Sequence, residues 1–185
     1  RYNHQHGGSK IPTVLIVKAV IYRWLHVHKT IIMQVLKFGG SSVANAENMS
    51  KVVDIVANAV DRDRTILVAS AISGCTDTLI KIGTLASQRD EGYKGLIDEL
   101  QEKHHVIIRD FLPLEKQAES QEICDALFDS LRSIAQGVFL LGELSPASLD
   151  AIQGFGELWS TKILATKLAS IGIATKWIDS RNIIR

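Results

Sequence analysis

The sequence predicts an α/β fold, in which helices cover a mostly parallel sheet. From Met33 onwards, short apolar runs typical of strands alternate with helical patterns, and a long helical pair is inserted between the later units. Alternating strand and helix units favour an α/β sandwich. With 185 residues and 46% apolar content, the chain can bury one core and is predicted to form one domain.

Three apolar runs have the length and the boundaries of strands. They are QVLKF at 34–38, RTILVASA at 64–71 and ATKWID at 174–179. Each is followed by glycine, serine or charged residues, which mark the end of a buried strand. Three strands are few for a sheet with this many helices, so we expect the chain to be part of a larger domain.

Apolar residues three or four positions apart predict the helices. The predicted helices comprise residues 46–62, 75–88, 92–112, 120–142 and 148–172. Pro113 separates the third helix from the fourth, because proline interrupts the helical hydrogen-bond ladder. Ser148 is the predicted N-cap of the last helix, and Gly172 is its predicted end.

Residues 1–32 differ in character from the rest of the chain. They mix histidine and glycine with an apolar run that Lys18 and Arg23 interrupt, too short and too charged to span a bilayer. A clean strand pattern then opens at Met33. We therefore expect 1–32 to be a non-native or upstream extension and 33–185 to be the domain. The alternative is an extra strand or helix packed on that domain.

The composition argues against several classes of function. The 21 basic and 20 acidic residues leave a net charge of +1, so no overall field favours nucleic acid or a membrane surface. Cys75 and Cys124 are too few and too far apart for a disulfide framework or a zinc site, and they fit the cytoplasm. Four of the six histidines lie in the first 28 residues, and the other two are adjacent, so we predict no metal site.

Residues 37–42 have the composition of a phosphate-binding turn. Gly39 and Gly40 lack a Cβ atom, so an anion can approach the main chain closely. A helix that starts after the turn would add its amide groups, and Lys37 adds a full positive charge. The GxxxxGK[ST] pattern is absent, so this is not a Walker A loop. The alternative is an ordinary strand-to-helix turn with a surface lysine.

A second turn, within residues 69–79, repeats this arrangement after the next strand. Ser70, Ser73 and Thr76 offer hydroxyl groups, and Gly74 allows a close approach to a carboxylate at the start of the helix. Capping of the helix by Ser73 or Thr76 is equally compatible with the sequence. Open α/β sheets bind ligands at the carboxyl ends of their strands, so the two turns together favour a ligand site.

Two further segments contain charged candidates. Glu157 lies among glycines and Trp159 on a predicted semi-buried helix face, where an acid usually has a partner, and a substrate ammonium is one candidate. GFGELW is not a dinucleotide fingerprint, because Trp159 takes the place of the third glycine and no strand precedes it. Asp179 and Arg181 follow the last strand, which would bring them to the same cleft. The alternative is that they form a turn and a surface ion pair, as such residues more often do.

Four segments, in chain order, resemble the aspartokinases of the amino acid kinase superfamily. VLKFGGSSVANAENM (35–49) resembles the KFGG[TS]SVA opening, SAISGCTD (70–77) the S-x-x-x-G-x-T substrate turn, GFGELWST (154–161) the G-E-x-x-S/T helix and WIDSR (177–181) the [VF]-D-[AS]-R strand end. The segment LLGELSPASLDAIQGFGEL is most similar to the kinase part of bifunctional aspartokinase–homoserine dehydrogenases. The resemblance covers residues 33–185 and implies the N-terminal lobe of a three-layer sandwich.

For the first turn, the resemblance implies binding of ATP. Lys37 is the implied catalytic residue, and with Mg²⁺ it would neutralise charge on the transferring phosphoryl group. Gly39, Gly40 and Ser41 would form the loop around that group, and no residue is implied as a metal ligand. In this superfamily most nucleotide contacts come from the half of the domain beyond Arg185, so we expect weak or no catalysis from this chain by itself.

For the second turn, the resemblance implies binding of L-aspartate. Ser70 and Thr76 would hold the amino acid, and Glu157 would bind its ammonium group or help to order the site. The implied reaction is ATP-dependent phosphorylation of the aspartate β-carboxylate, the first step towards lysine, threonine and methionine. A reference pKa of about 3.9 keeps that carboxylate ionised at neutral pH, so attack on phosphorus needs no general base.

Two alternatives stay open. One is a kinase for another carboxylate, such as acetylglutamate, which the KFGGSSV segment and Glu157 disfavour because that substrate has no free ammonium. The other is a non-catalytic regulatory or interaction module, which retention of Lys37 and Glu157 disfavours. Apolar positions along the helical insert predict a homo-oligomer. We expect a cytoplasmic location, with neither a nucleic-acid partner nor a membrane partner.

Overall fold

The computed structural model describes residues 14–17 and 33–183, which form a four-stranded parallel sheet with helices packed on it. The strands are β1 (Val14–Val17), β2 (Met33–Phe38), β3 (Arg64–Ala69) and β4 (Thr175–Ile178). Their order across the sheet is β2-β3-β1-β4. Every neighbouring pair is parallel, so the carboxyl ends of these strands lie at one edge. The predicted α/β class and parallel sheet are confirmed.

Strand β1 lies between β3 and β4. Val14 is in register with Thr65 on one side and with Thr175 on the other. Residues 14–17 therefore correspond to the alternative expectation, an extra strand packed on the domain. The other residues of 1–32 lie outside the described part of the chain, and the origin of that segment stays a prediction.

The described residues contain five α-helices, each of which was predicted. They are α1 (Ala46–Val60), α2 (Cys75–Ser87), α3 (Gly92–Phe111), α4 (Leu114–Leu141) and α5 (Pro146–Ser170). The fourth begins at Leu114 and not at residue 120, and the other helix bounds lie within two residues of the prediction. Two short 3₁₀ helices occupy Gly40–Val43 and Ser180–Asn182.

Helix α5 begins earlier than predicted. Its N-cap is Ser145 and not Ser148, and the Ser145 hydroxyl accepts a hydrogen bond from the Ser148 N–H at 3.1 Å. Pro146 takes the first helical position, which suits proline because its φ is already helical and its missing N–H is not needed there. Gly172 follows the helix with a φ of +85°, as its predicted role requires.

The helices of the described region cover one face of the sheet. Helices α1 and α5 pack on the sheet and on each other, so they lie on the same side. Successive residues of β2 point to opposite faces. Leu36 and Phe38 pack against the core, whereas Met33 and Val35 are 42% and 58% exposed on the other face. Residues 33–183 therefore supply two layers of the predicted three-layer sandwich.

A buried aromatic cluster joins α3, α4 and α5. Trp159 stacks on Phe128 with ring centroids 4.0 Å apart, and the imidazole of His104 lies 4.8 Å from the same indole. Such aromatic pairs contribute about 0.5–1.5 kcal/mol each beyond the area that they bury. Trp159 follows Glu157 by half a helical turn, so this cluster sets the position of the part of α5 that carries the predicted site residue.

Candidate active site

The two predicted turns and helix α5 meet around Ala71. A Cβ atom on Gly40 would lie 2.9 Å from the Ala71 carbonyl oxygen, and one on Gly156 would lie 2.6 Å from the Ala71 Cβ. Only glycine fits at either position without a shift of the neighbouring atoms. Three segments that are far apart in the sequence therefore meet at one edge of the sheet.

Hydrogen bonds connect the same three segments. The Ser70 N–H donates to the Phe38 carbonyl at 3.0 Å, where β2 and β3 end side by side. The Ser160 hydroxyl donates to the Ser70 carbonyl at 2.8 Å and so attaches α5 to the second turn. The main chain of Ser70 is therefore held from both sides, which fixes this residue at the junction.

The first turn was expected to lead directly into α1, but in the structure it does not. A 3₁₀ helix, Gly40–Val43, intervenes, and α1 begins only after Asn45, whose side chain caps it. The Ser42 N–H donates to the Gly39 carbonyl at 3.0 Å, which leaves the amides of Gly40 and Ser41 ahead of that first bond. The turn therefore offers its own amides to an anion, and the α1 terminus is already capped by protein.

Lys37 is the second-last residue of β2, and its side chain is exposed. Alternation along the strand places it on the face that α1 and α5 leave open. Within residues 33–183 its ammonium group makes no hydrogen bond and no ion pair. The structure therefore keeps this charge available to a ligand beside the first turn.

The second turn begins α2 without a side-chain cap. Gly74 is the N-cap residue, with a φ of +76°, a conformation that favours glycine. Neither Ser73 nor Thr76 caps the helix, so the capping alternative is wrong for both. Both residues are exposed. The Thr76 hydroxyl thus lies at the surface of the turn, on the first turn of α2.

Glu157 is half-buried in α5, one residue after the Gly156 contact. In the described part of the chain no side chain pairs with its carboxylate. Its charge nevertheless reaches the second turn. Burial raises the pKa of the Cys75 thiol to about 12, Lys103 acts to lower that pKa and Glu157 acts to raise it. Glu157 therefore lies near the start of α2, as the predicted site requires.

Asp179 and Arg181 pair with each other. The Arg181 guanidinium donates to both Asp179 carboxylate oxygens, with the shortest distance 2.6 Å, and this raises the pKa of the guanidinium. They follow β4, which β1 separates from β3. They form the local ion pair that was the alternative in the sequence analysis.

Residues 33–183 contain no cluster of three or more histidine, cysteine or acidic side chains arranged to hold a metal ion. His104 is buried and its Nδ1 lies 2.7 Å from the Leu100 carbonyl oxygen. Burial lowers the pKa of His104 to about 4, so the ring is neutral at physiological pH. His105 contacts Asp125 on the helical insert, away from both turns.

Three residues that hold the turns were missed by the sequence analysis. Asn48 donates to the Ser41 carbonyl at 2.9 Å, Ser160 bonds to Ser70, and Lys103 donates to the Ser73 carbonyl at 2.8 Å. Ser160 lies about one helical turn after Glu157, so the spacing within GFGELWST already indicated that the two side chains share one face of the helix. Lys103 had none, because its partner is 30 residues away.

Comparison with protein families gives one family match, to the Amino acid kinase family over residues 33–185. The chain is 28% identical over 95% of its length to bifunctional aspartokinase/homoserine dehydrogenase 2 of Arabidopsis thaliana, and it spans 19% of that protein. It is 30% identical over 79% of its length to Aspartokinase 1 of the same plant, spanning 25% of it. Both relatives are named chloroplastic, which differs from the cytoplasmic location predicted above.

Solved structures are also similar. Aspartokinase III of E. coli in complex with aspartate and ADP superposes with a TM-score of 0.69 at 28% identity, covering 81% of this chain and 31% of that one. The same enzyme in complex with lysine and aspartate gives a TM-score of 0.70 at 24% identity and supports the fold alone. None of the helices in residues 33–183 combines the length and the apolar character that crossing a bilayer requires.

Proposed function

The chain belongs to the amino acid kinase family, and on that premise we propose that it carries the phosphate turn and the acceptor turn of an aspartate kinase. The proposed reaction transfers the γ-phosphoryl group of ATP to the β-carboxylate of aspartate. The observation that carries the proposal is the junction at Ala71, where Gly40 and Gly156 bring both turns and the Glu157 segment together.

The acceptor is an ionised carboxylate, so this site has to align two anions and offset their charge. The carboxyl group of aspartate has a reference pKa of about 3.9, so it is already ionised and needs no general base. Lys37 supplies an exposed charge, and the amides of Gly39, Gly40 and Ser41 supply donors beside it. Fixed positive groups at the place where charge develops are the main source of catalysis in phosphoryl transfer.

The second turn would bind the amino-acid end of the substrate. Thr76 is exposed at the start of α2, and Ser70 lies where Phe38 and Ser160 hold the turn. Glu157, half-buried and without an ion-pair partner among residues 33–183, is suited to an ammonium group, because a partly buried carboxylate is stabilised by an opposite charge. This feature favours aspartate over an acceptor whose amine is blocked.

The donors of the first turn suit the nucleotide phosphates better than they suit a free metal ion. Amides and a lysine bind anions, whereas Mg²⁺ prefers oxygen ligands. Mg²⁺, when bound, would be held mainly by the ATP phosphates and would neutralise their charge. The residues of this chain would then orient the phosphoryl group against the acceptor.

Hydroxamate trapping of aspartyl phosphate tests the proposal. The chain, and a chain continued past Arg185, would be incubated with ATP, Mg²⁺ and aspartate, with N-acetylaspartate as the matched acceptor that lacks a free ammonium group. We expect product from aspartate in the longer chain and at least tenfold less from N-acetylaspartate. No product from a longer chain that is demonstrably folded would remove the substrate assignment, and equal use of both acceptors would remove Glu157 from it.

A further inference from the structure

One side chain of α3 reaches the second turn. The Lys103 ammonium donates to the Ser73 carbonyl at 2.8 Å, across 30 residues of sequence. Helix α3 is otherwise part of the helical insert, where His104 packs on Trp159 of α5. This hydrogen bond is therefore a direct connection between that insert and the proposed acceptor turn.

The carbonyl groups on either side of Ser73 have local partners. The Ile72 carbonyl accepts from the Cys75 N–H at 2.9 Å, and the Gly74 carbonyl accepts from the Thr78 N–H at 3.1 Å. Both bonds lie within the turn and α2, whereas Lys103 reaches Ser73 from another helix. Lys103 is therefore the group that ties this part of the turn to the rest of the fold.

Ser73 also lies beside the first turn. A Cβ atom on Gly40 would lie 3.6 Å from both the Cα and the amide nitrogen of Ser73. A displacement of Ser73 would therefore change the spacing between the phosphate turn and the acceptor turn. Phosphoryl transfer depends strongly on that alignment, because a small misplacement of the two reactants slows the reaction.

The charge of Lys103 also acts at this place. Lys103 and Glu157 shift the pKa of the Cys75 thiol in opposite directions, so both charges lie within electrostatic range of the start of α2. A cation held at Ser73 offsets part of the negative charge that Glu157 and an anionic acceptor bring together. Its effect would thus be felt by the acceptor more than by the nucleotide.

We infer that Lys103 is a positioning residue of this site, which holds the 70–76 turn against the first turn and thereby sets the affinity for the acceptor amino acid. The inference rests on the proposed aspartate kinase function for its substrate. Its structural part, the tether between α3 and the turn, is independent of any activity.

The test compares three variants by two measurements. Lys103→Met removes the donor and keeps the apolar stem, Lys103→Arg keeps a donor, and Lys81→Met is the control, an exposed lysine of α2 beyond the turn. Hydrogen exchange of peptides covering residues 70–76 reports the tether in the chain itself. Initial rates of aspartyl phosphate formation, in the chain continued past Arg185, report the Michaelis constants.

We expect Lys103→Met to speed exchange in residues 70–76 and to raise the Michaelis constant for aspartate, each by about three- to tenfold, since the lost bond has a charged donor but is exposed. The turnover number and the constant for ATP should change by less than about twofold. Lys103→Arg should restore both, and Lys81→Met should match wild type. Unchanged exchange in Lys103→Met would overturn the tether.

An equal rise in both Michaelis constants would overturn the acceptor-specific role. Failure of the wild-type longer chain to make aspartyl phosphate would reject the proposed function. The exchange measurement would then still decide the tether by itself.

Discussion

The two turns at the carboxyl edge of the sheet follow neighbouring strands, yet the structure holds them very differently. The first, residues 39–42, is attached by the Asn48 side chain and leaves the Lys37 charge exposed beside it. The second, residues 70–76, is held by α5, by α3 and by glycine contacts on both sides. The turn proposed to bind phosphate keeps its donors free, whereas the turn proposed to orient the acceptor is held by the helices around it.

The largest effect is expected from removing the charge of Lys37 beside the first turn. Lys37→Ala should lower the rate of phosphoryl transfer about 100- to 1,000-fold in a chain continued past Arg185, because it removes a fixed charge where charge develops. Stability should change little, since this exposed side chain makes no ion pair among residues 33–183. Steady-state kinetics measure the effect, with Lys81→Ala on α2 as the exposed-lysine control. Turnover equal to wild type would remove Lys37 from catalysis.

Acidification should weaken the support of the second turn. His104 has a folded-state pKa of about 4, below its usual 6.5, mainly because of burial and secondarily because of Lys103 and His105. Between these two pH values the unfolded chain binds more protons than the folded chain. The contribution of His104 to the free energy of unfolding is therefore fully present above pH 6.5 and is lost as the pH drops towards 4. The loss at pH 4 is on the order of 3 kcal/mol.

Urea unfolding across this pH window measures that loss. His104→Phe, which keeps an aromatic ring in the cluster, should give a flatter profile, and His105→Gln is the control. An identical slope in wild type and His104→Phe would show that other groups cause the pH dependence.

The next smaller effect is expected from Gly156→Ala, which would overpack the contact with Ala71 and loosen the second turn. Gly156→Ala places a Cβ atom 2.6 Å from the Ala71 Cβ and 3.2 Å from the Cys75 sulfur, so the free energy of unfolding should fall by about 1–3 kcal/mol. Gly137→Ala on α4 is the matched control, since its Cβ would meet nothing within 4 Å. The control should gain up to about 1 kcal/mol from helix propensity. A Gly156→Ala variant as stable as wild type would disprove the tight contact.

The smallest effect is expected from Glu157→Gln, which tests whether the two turns bind different substrates. Glu157→Gln should raise the Michaelis constant for aspartate about tenfold, the equivalent of about 1.4 kcal/mol, by removing the partner of the ammonium group. The Michaelis constant for ATP should stay within about twofold of the wild-type value, because the substitution leaves the first turn intact. Varying each substrate separately measures both. Equal changes in the two constants would assign Glu157 to general ordering of the site.

Most of the secondary structure was determined by local patterns. Helical spacing predicted α1 to α5, and the short apolar runs predicted β2, β3 and β4. The glycines of both turns were also visible, because glycine after a strand has a local conformational meaning. The start of α4 was misplaced by six residues. The start of α5 was misplaced by two, since Ser145 and Ser148 are both acceptable caps and the Pro146 signal was not used.

What the sequence by itself determined was therefore the parts: strands, helices, two turns of small residues and the segments that identify the family. Only the tertiary structure decided that β1 lies between β3 and β4, that Gly40 and Gly156 meet at Ala71, and that Lys103 holds Ser73. The reason is physical. Periodicity and turn preference act between residues close in sequence, whereas these contacts join residues that come together only when the helices pack on the sheet.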